Sequence, residues 1–227
     1  MQINQSILYG LDSQHLVDCL GYRLQQQTAN AFIAMQSAAK ADGIDLQICS
    51  AYRDFDRQLL IWNNKVSGNR PVLDQNSVPV DIRFLTANEL IDYILLWSAI
   101  PGMSRHHWGT DIDVFDANKI NKQELQLVST EYQADGPCFK LSQWLAQHAQ
   151  QFGFYLPFQQ GLSGVSPEPW HLSYYPVATH YIKQFNPAEL AAVLTASDVS
   201  LKQHILAQLD ELVAEYVYRV APAPQEA

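Results

Sequence analysis

A chain of 227 residues with 48% hydrophobic and 16% charged side chains can bury a real core, which excludes a disordered polypeptide and leaves room for one large domain or two small ones. A net charge of −9 argues against nucleic acid or an anionic membrane as partner, because both are gripped by clustered Lys and Arg. No stretch approaches the roughly 20 apolar residues of a membrane span. Residues 1–6 carry no basic leader region and no apolar run follows them, so a cytoplasmic location is expected rather than a periplasmic one. Cys19, Cys49 and Cys138, odd in number and without metal-type spacing, read as reduced, buried thiols of that compartment.

Along the chain, an amphipathic pattern over residues 28–41 predicts a helix ended by Gly43. Residues 46–52 alternate as a strand that would deliver Arg53 at its end. A helix over 54–65 follows, with Asp54 or Asp56 at its cap and Leu59, Leu60 and Trp62 on its apolar side. Residues 67–83 form a long polar connection of the kind that rims or covers a site. Thr86 and Glu89 compose a capping box for a helix to about Ala99, stopped by Pro101-Gly102. In Asp111-Ile112-Asp113-Val114-Phe115 the alternation of a strand puts the two carboxylates on one face and Ile112 and Val114 on the other.

Ser142 is expected to cap a helix reaching Phe152 and closed by Gly153, before a short strand over 154–158 and a flexible turn over 161–167. Two helices, about 187–196 and 201–217, complete the pattern. The stripe Leu201, Ile205, Leu209, Leu212 and Tyr216 in the second predicts core packing rather than a partner-binding face. Helices flanking a few short strands make this an α+β single domain. Residues 1–43 would be a helical extension packed on the domain, 44–186 the core, 187–220 further helices of the same domain, and 221–227 a frayed tail.

The chemistry concentrates in Ser104-Arg105-His106-His107-Trp108-Gly109-Thr110-Asp111-Ile112-Asp113 and Glu168-Pro169-Trp170-His171. His106, Asp113 and His171 can supply three nitrogen or oxygen ligands to one zinc ion, and three leave the open position that a catalytic zinc needs. Glu168 can supply a carboxylate base within reach of a water without occupying the metal. Pro169 biases Glu168 away from the α region, so Glu168 and His171 should meet in a turn. Each residue alone is an ordinary polar side chain; their joint spacing carries the reading. Two alternatives stay open: Asp111 could be a ligand or could hold one in place, and His107 could close the fourth position of a purely structural site. Trp108 and Trp170 read as walls that pack the site. His15, His148, His180 and His204 fit no signature and are expected to face solvent.

These segments resemble the S-x-H-x-x-G-x-x-x-D and E-x-W-H signatures of the LAS metallopeptidases, which include lysostaphin, D-Ala-D-Ala peptidases and sonic hedgehog. Ser50-Ala51-Tyr52-Arg53 with Gln58 resembles a further segment of the D-alanyl-D-alanine carboxypeptidase branch, and the likeness spans about residues 44–176. The resemblance implies a small antiparallel sheet flanked by helices. It implies that His106, Asp113 and His171 bind one Zn2+ and that Glu168 is the catalytic base. Arg53 would neutralise substrate or transition-state charge, while Ser104, Gln58 and Tyr174 would hold the end of the peptide. One departure is Asp111, where that branch usually has Ala.

The implied reaction is release of a C-terminal D-amino acid from a peptidoglycan stem peptide. A cytoplasmic enzyme that cut D-Ala-D-Ala would degrade the cell's own pentapeptide precursors. An L,D-carboxypeptidase acting on recycled tetrapeptide muropeptides is therefore expected, with D,D-carboxypeptidase activity and a non-catalytic zinc-containing binding module as the alternatives.

Overall fold

The computed structural model describes residues 5–225. A short helix α1 (Gln5–Leu8) leads into a hairpin of β1 (Leu16–Cys19) and β2 (Tyr22–Gln25), then helix α2 (Gln26–Ala41). The hairpin is an addition to the expected helical N-terminal segment. Its two-residue turn places both Leu20 (φ 56°) and Gly21 (φ 82°) in the left-handed region, the twist that matches antiparallel strands. Leu is a rare occupant of that conformation, which hides the turn from a sequence reading.

A four-stranded sheet in the order β3-β4-β6-β5 forms the centre: β3 (Leu46–Ser50), β4 (Asp111–Asp116), β5 (Phe154–Tyr155) and β6 (His171–Tyr174), with every neighbour antiparallel. The expected strands over 46–52 and 154–158 are shorter than their alternation suggests, because pairing stops where the chain leaves for the site. Strand β4, inside the sheet, is buried at every residue. Its apolar Ile112 and Val114, with Leu172 of β6, pack against Phe32 and Met35 of α2 and Leu141 and Leu145 of α5 (Phe139–His148). Each such side chain contributes about 1.5–3 kcal/mol by burial.

A second buried cluster joins α1 to α3 (Phe55–Val66), α4 (Ala87–Leu95), α6 (Tyr175–Gln184), α7 (Pro187–Ala196), α8 (Lys202–Ala207) and α9 (Leu209–Val213). The stripe of the last helices belongs to this core, with Ile205, Leu209 and Leu212 buried. The predicted helix over 201–217 is nevertheless broken: Gln208 (φ −130°, ψ 22°) interrupts it, and Ala214–Tyr218 widens to a π-helical turn that keeps Val217 fully buried.

Caps settle several boundaries. Asp54, rather than Asp56, caps α3, accepting from Arg57 N at 2.7 Å. The Thr86–Glu89 capping box forms as expected, but α4 ends at Leu95, and residues 96–99 turn so that Trp97 reaches the cavity described below. Ser142 is not a cap. It lies inside α5, where its Oγ donates to the carbonyls of Tyr132 and Phe139. Ala221, expected in a frayed tail, is buried and donates to Pro157 O at 2.9 Å, whereas residues 1–4 and 226–227 lie outside the described residues. Cys19 and Cys138 are buried, Cys49 is half-buried, and all three are free. No helix among the described residues is long and apolar enough to cross a membrane.

Candidate metal centre

Strand register assembles the centre. Asp113 of β4 stands directly across from His171 of β6, and Asp111 directly across from Ser173. Residues 105–108 make one 3₁₀ turn ahead of β4, ended by Gly109 in the left-handed conformation (φ 68°), and this turn carries His106. A Cβ at Gly109 would meet Leu16 at 2.4 Å, and Gly109 O accepts from Gln25 N at 2.9 Å, so the unforeseen hairpin braces the metal loop. Glu168 arrives through a tight turn, His171 N donating to Glu168 O at 3.1 Å, as Pro169 suggests.

His106 Nε2 lies 3.3 Å from Asp113 Oδ2, and His171 Nδ1 lies 3.1 Å from Asp113 Oδ1. The three donor atoms fall within 4.8 Å of one another, and all three residues are buried. Zinc bonds of roughly 2.0–2.1 Å in a tetrahedron would set such atoms about 3.3 Å apart. Asp113 Oδ1 accepts no well-formed hydrogen bond although it is buried, which suits an oxygen that awaits a cation.

Each imidazole is oriented by its other nitrogen. His106 Nδ1–H donates to the Asp111 carbonyl at 3.2 Å, leaving Nε2 free for a metal. His171 Nε2–H donates to Asp111 Oδ1 at 3.0 Å, leaving Nδ1 free. Asp111 also accepts from Arg105 Nε (2.8 Å), Thr110 Oγ1 (2.6 Å) and Ser173 Oγ (3.1 Å). Its lone pairs are filled, so of the two roles left open for Asp111 the geometry supports the holding one. Arg105, its guanidinium 4.7 Å from the Trp108 ring centroid, belongs to this buried support.

His107 offers no fourth ligand. Its Nδ1–H donates to Arg53 O at 2.6 Å, and its Nε2 accepts from Gly102 N at 3.1 Å. Burial holds it neutral, with its pKa lowered to about 3. Gly10 is pressed against it: a Cβ there would stand 2.4 Å from Nδ1.

The centre opens into a cavity of about 640 Å³, a volume suited to a small peptide. Arg53, Ser104 and Glu168 line it with the three candidate ligands, together with Trp97 and Trp170. Glu168 Oε2 lies 3.4 Å from His171 Nδ1. Burial pushes the Glu168 carboxyl up to about 8; the charge of Asp113 adds to this, while His171 and Arg53 oppose it. Asp113 is held well below the usual carboxylate range by His106 and His171 despite its burial. Burial opposes charge on His171 too, yet Asp111 and Asp113 raise it to about 10.

Two expected peptide-binding residues stand elsewhere. Gln58 is fully buried beneath the cavity, accepting from Arg53 Nη1 at 2.7 Å and donating to Ala99 O at 2.6 Å, so it positions Arg53. Tyr174 alternates with His171 and Ser173 onto the other face of β6, where its ring packs 5.4 Å from Phe154 and against Gly153, away from the cavity. Trp170 is a cavity wall, stacked on Trp97, whereas Trp108 is buried in the helical core and donates to Leu8 O. His180 and His204 are exposed as expected. His15 is half-buried near Trp108 O (3.4 Å), and His148 is half-buried against Trp144. The support given by Asp111 was legible only as a departure from a pattern, and that of Ser173 had no sequence signal.

An uncharacterised protein of Haemophilus influenzae is 37% identical to this chain over 121 residues, which are 52% of this chain and 92% of that one. The fold is similar to that of a mutant of the vancomycin-resistance D,D-pentapeptidase VanY in complex with Zn(II), with a TM-score of 0.52 and 23% identity over 75% of this chain and 86% of that one. It is equally similar to the LD-carboxypeptidase LdcB, with a TM-score of 0.54 and 20% identity over 78% and 81% of the two chains. The model of the VanY family, described as D-alanyl-D-alanine carboxypeptidase, matches residues 21–177, and the chain belongs to that family.

Proposed function

We propose that the protein is a zinc-dependent carboxypeptidase that releases the C-terminal D-alanine of peptidoglycan stem peptides. The L,D bond of a tetrapeptide is its proposed preference, and the D,D bond of a pentapeptide the alternative; solved proteins of this fold are named for each. One observation carries the reading. His106, Asp113 and His171 converge within 4.8 Å, and a fourth buried group, Glu168, stands at their edge inside a peptide-sized cavity. A merely structural site has no need of that carboxyl.

His106 Nε2, Asp113 and His171 Nδ1 would hold the ion, which when bound supplies Lewis acidity toward a carbonyl and lowers the pKa of water to roughly 7. Glu168 takes a proton from the attacking water as its oxygen bonds to the terminal peptide carbon. The same carboxyl returns a proton to the departing amine as the C–N bond breaks, a double transfer that its place beside the three ligands allows. Arg53, fixed by Gln58 and by the His107 contact to its carbonyl, supplies positive charge for the substrate's terminal carboxylate or the tetrahedral oxyanion. Ser104, in the same lining, is placed to hold the peptide's end. Three free thiols fit a reducing compartment, and with it the cytoplasm as site of action.

Digestion of tetrapeptide and pentapeptide muropeptides, followed by mass spectrometry of released D-Ala, tests the reading. Release from the tetrapeptide is expected. Cleavage of pentapeptide alone overturns the bond preference, and release from neither overturns the function.

A further inference from the structure

Helix α3 carries a row of cations away from the metal centre. Arg57, Ile61 and Lys65 recur every four residues, the interval that aligns side chains on one helical face. All three line the cavity, as does Arg53 just before the helix. Beyond the helix the chain folds back, Arg70 N donating to Asn64 O at 3.0 Å, and Arg70 joins the same lining beside Lys65. At 1.5 Å per residue, Arg57 and Lys65 stand about 12 Å apart along the axis, roughly the length of three to four extended peptide residues.

Among the described residues, no carboxylate forms an ion pair with this row. The ion pairs of Arg and Lys among the described residues are Arg83–Asp81, Arg105–Asp111 and Arg219–Glu215, and none involves Arg57, Lys65 or Arg70. The carboxylates of the cavity lining are Asp113 and Glu168, both at the metal centre. Lys65 is half-buried, and its burial and the neighbouring Arg70 charge both disfavour its ammonium form. Three uncompensated cations lining one cavity, in a chain of net charge −9, create a local positive field that an anionic ligand would relieve. Hydrolysis of a terminal bond needs only Arg53 and leaves them unexplained.

We propose that Arg57, Lys65 and Arg70 form a subsite for carboxylates carried by the substrate upstream of the scissile bond, so that the protein selects acidic stem peptides over their amidated forms. The subsite deepens the carboxypeptidase reading and rests on it.

The test compares L-Ala-γ-D-Glu-meso-diaminopimelate-D-Ala with the same peptide amidated at its upstream carboxylates. Calorimetric binding to zinc-loaded Glu168→Ala protein is measured beside D-Ala release by the unaltered protein. The acidic peptide should bind about tenfold tighter, a preference that shrinks in high salt. In the triple variant Arg57→Gln, Lys65→Gln, Arg70→Gln the ratio should fall toward one. Thermal melting reports whether that variant folds, and Arg57→Gln alone, at an exposed position, should give a partial fall. Equal binding of the two peptides, or a preference that survives the triple variant, overturns the subsite. If the acidic peptide binds preferentially through these cations but neither peptide releases D-Ala, the subsite stands and the carboxypeptidase reading falls. If both release D-Ala equally and bind equally, the reverse holds.

Discussion

Asp113 and His171 face each other across antiparallel strands, with Asp113 Oδ1 3.1 Å from His171 Nδ1. Fifty-eight positions apart in the chain, they are brought to metal-sharing distance by register alone, and a slip of one residue would turn Asp113 to the opposite face. The centre is thus as rigid as the sheet that carries it.

Glu168→Ala is expected to keep zinc and lose turnover. General acid–base groups contribute about 10²–10⁴-fold, and Glu168 lies beside the three ligands rather than among them. Metal content by atomic absorption, measured alongside D-Ala release, checks this. Loss of zinc in step with activity would make Glu168 a ligand instead.

Asp111→Ala removes four hydrogen bonds at once and strands Arg105 in the interior. Breaking such a buried pair costs about 3–5 kcal/mol. Freeing His171 Nε2 should weaken zinc binding by about 10–100-fold. Combining Asp111→Ala with Arg105→Met should recover part of the stability, because the stranded charge is gone, but not the zinc affinity. Denaturant unfolding and chelator competition separate the two effects.

Zinc binding should release a proton. Without metal the His171 pKa is raised to about 10, so at neutral pH the ring is charged and must lose its Nδ1 proton to become a ligand. Apparent zinc affinity should therefore climb about tenfold per pH unit between pH 6 and 9. Calorimetry in buffers of different ionisation enthalpy counts the protons, and a flat affinity would refute the neutral-ligand assignment.

His107 makes the fold acid-sensitive. Its folded pKa is lowered to about 3 against an unfolded value of 6.5. The unfolded chain takes up the proton first, so the stability from this group is intact above 6.5 and is lost as the pH falls toward 3. The limiting slope is about 1.4 kcal/mol per pH unit. His107→Gln should flatten this decline in melting experiments between pH 7 and 5. It should also lower turnover with zinc retained, since the ring locks the Arg53 carbonyl.

Much of the site could be read along the chain. The capping box at Thr86, the alternation through Asp111–Phe115 and the turn forced by Pro169 are local effects, and local physics reports itself in adjacent residues. The convergence of the candidate ligands was legible for the same reason, because their spacing lies within two short segments. Tyr174 was misplaced because a signature gives distance along the chain, whereas the strand's alternation decides which face a side chain takes. The hairpin escaped because Leu20 occupies a conformation that Gly or Asn usually marks.

Residue order therefore picked out the candidate donors and the proposed base, together with most helices and their caps, since these depend on neighbours within a few positions. Tertiary packing alone assigned the other roles. It filled Asp111 with donors from four other residues, spent both nitrogens of His107, sank Gln58 beneath Arg53, and broke the last helix at Gln208. Each outcome depends on partners distant in the chain or on the shape of the assembled core, and contacts of that kind leave no periodic trace in the string of residues.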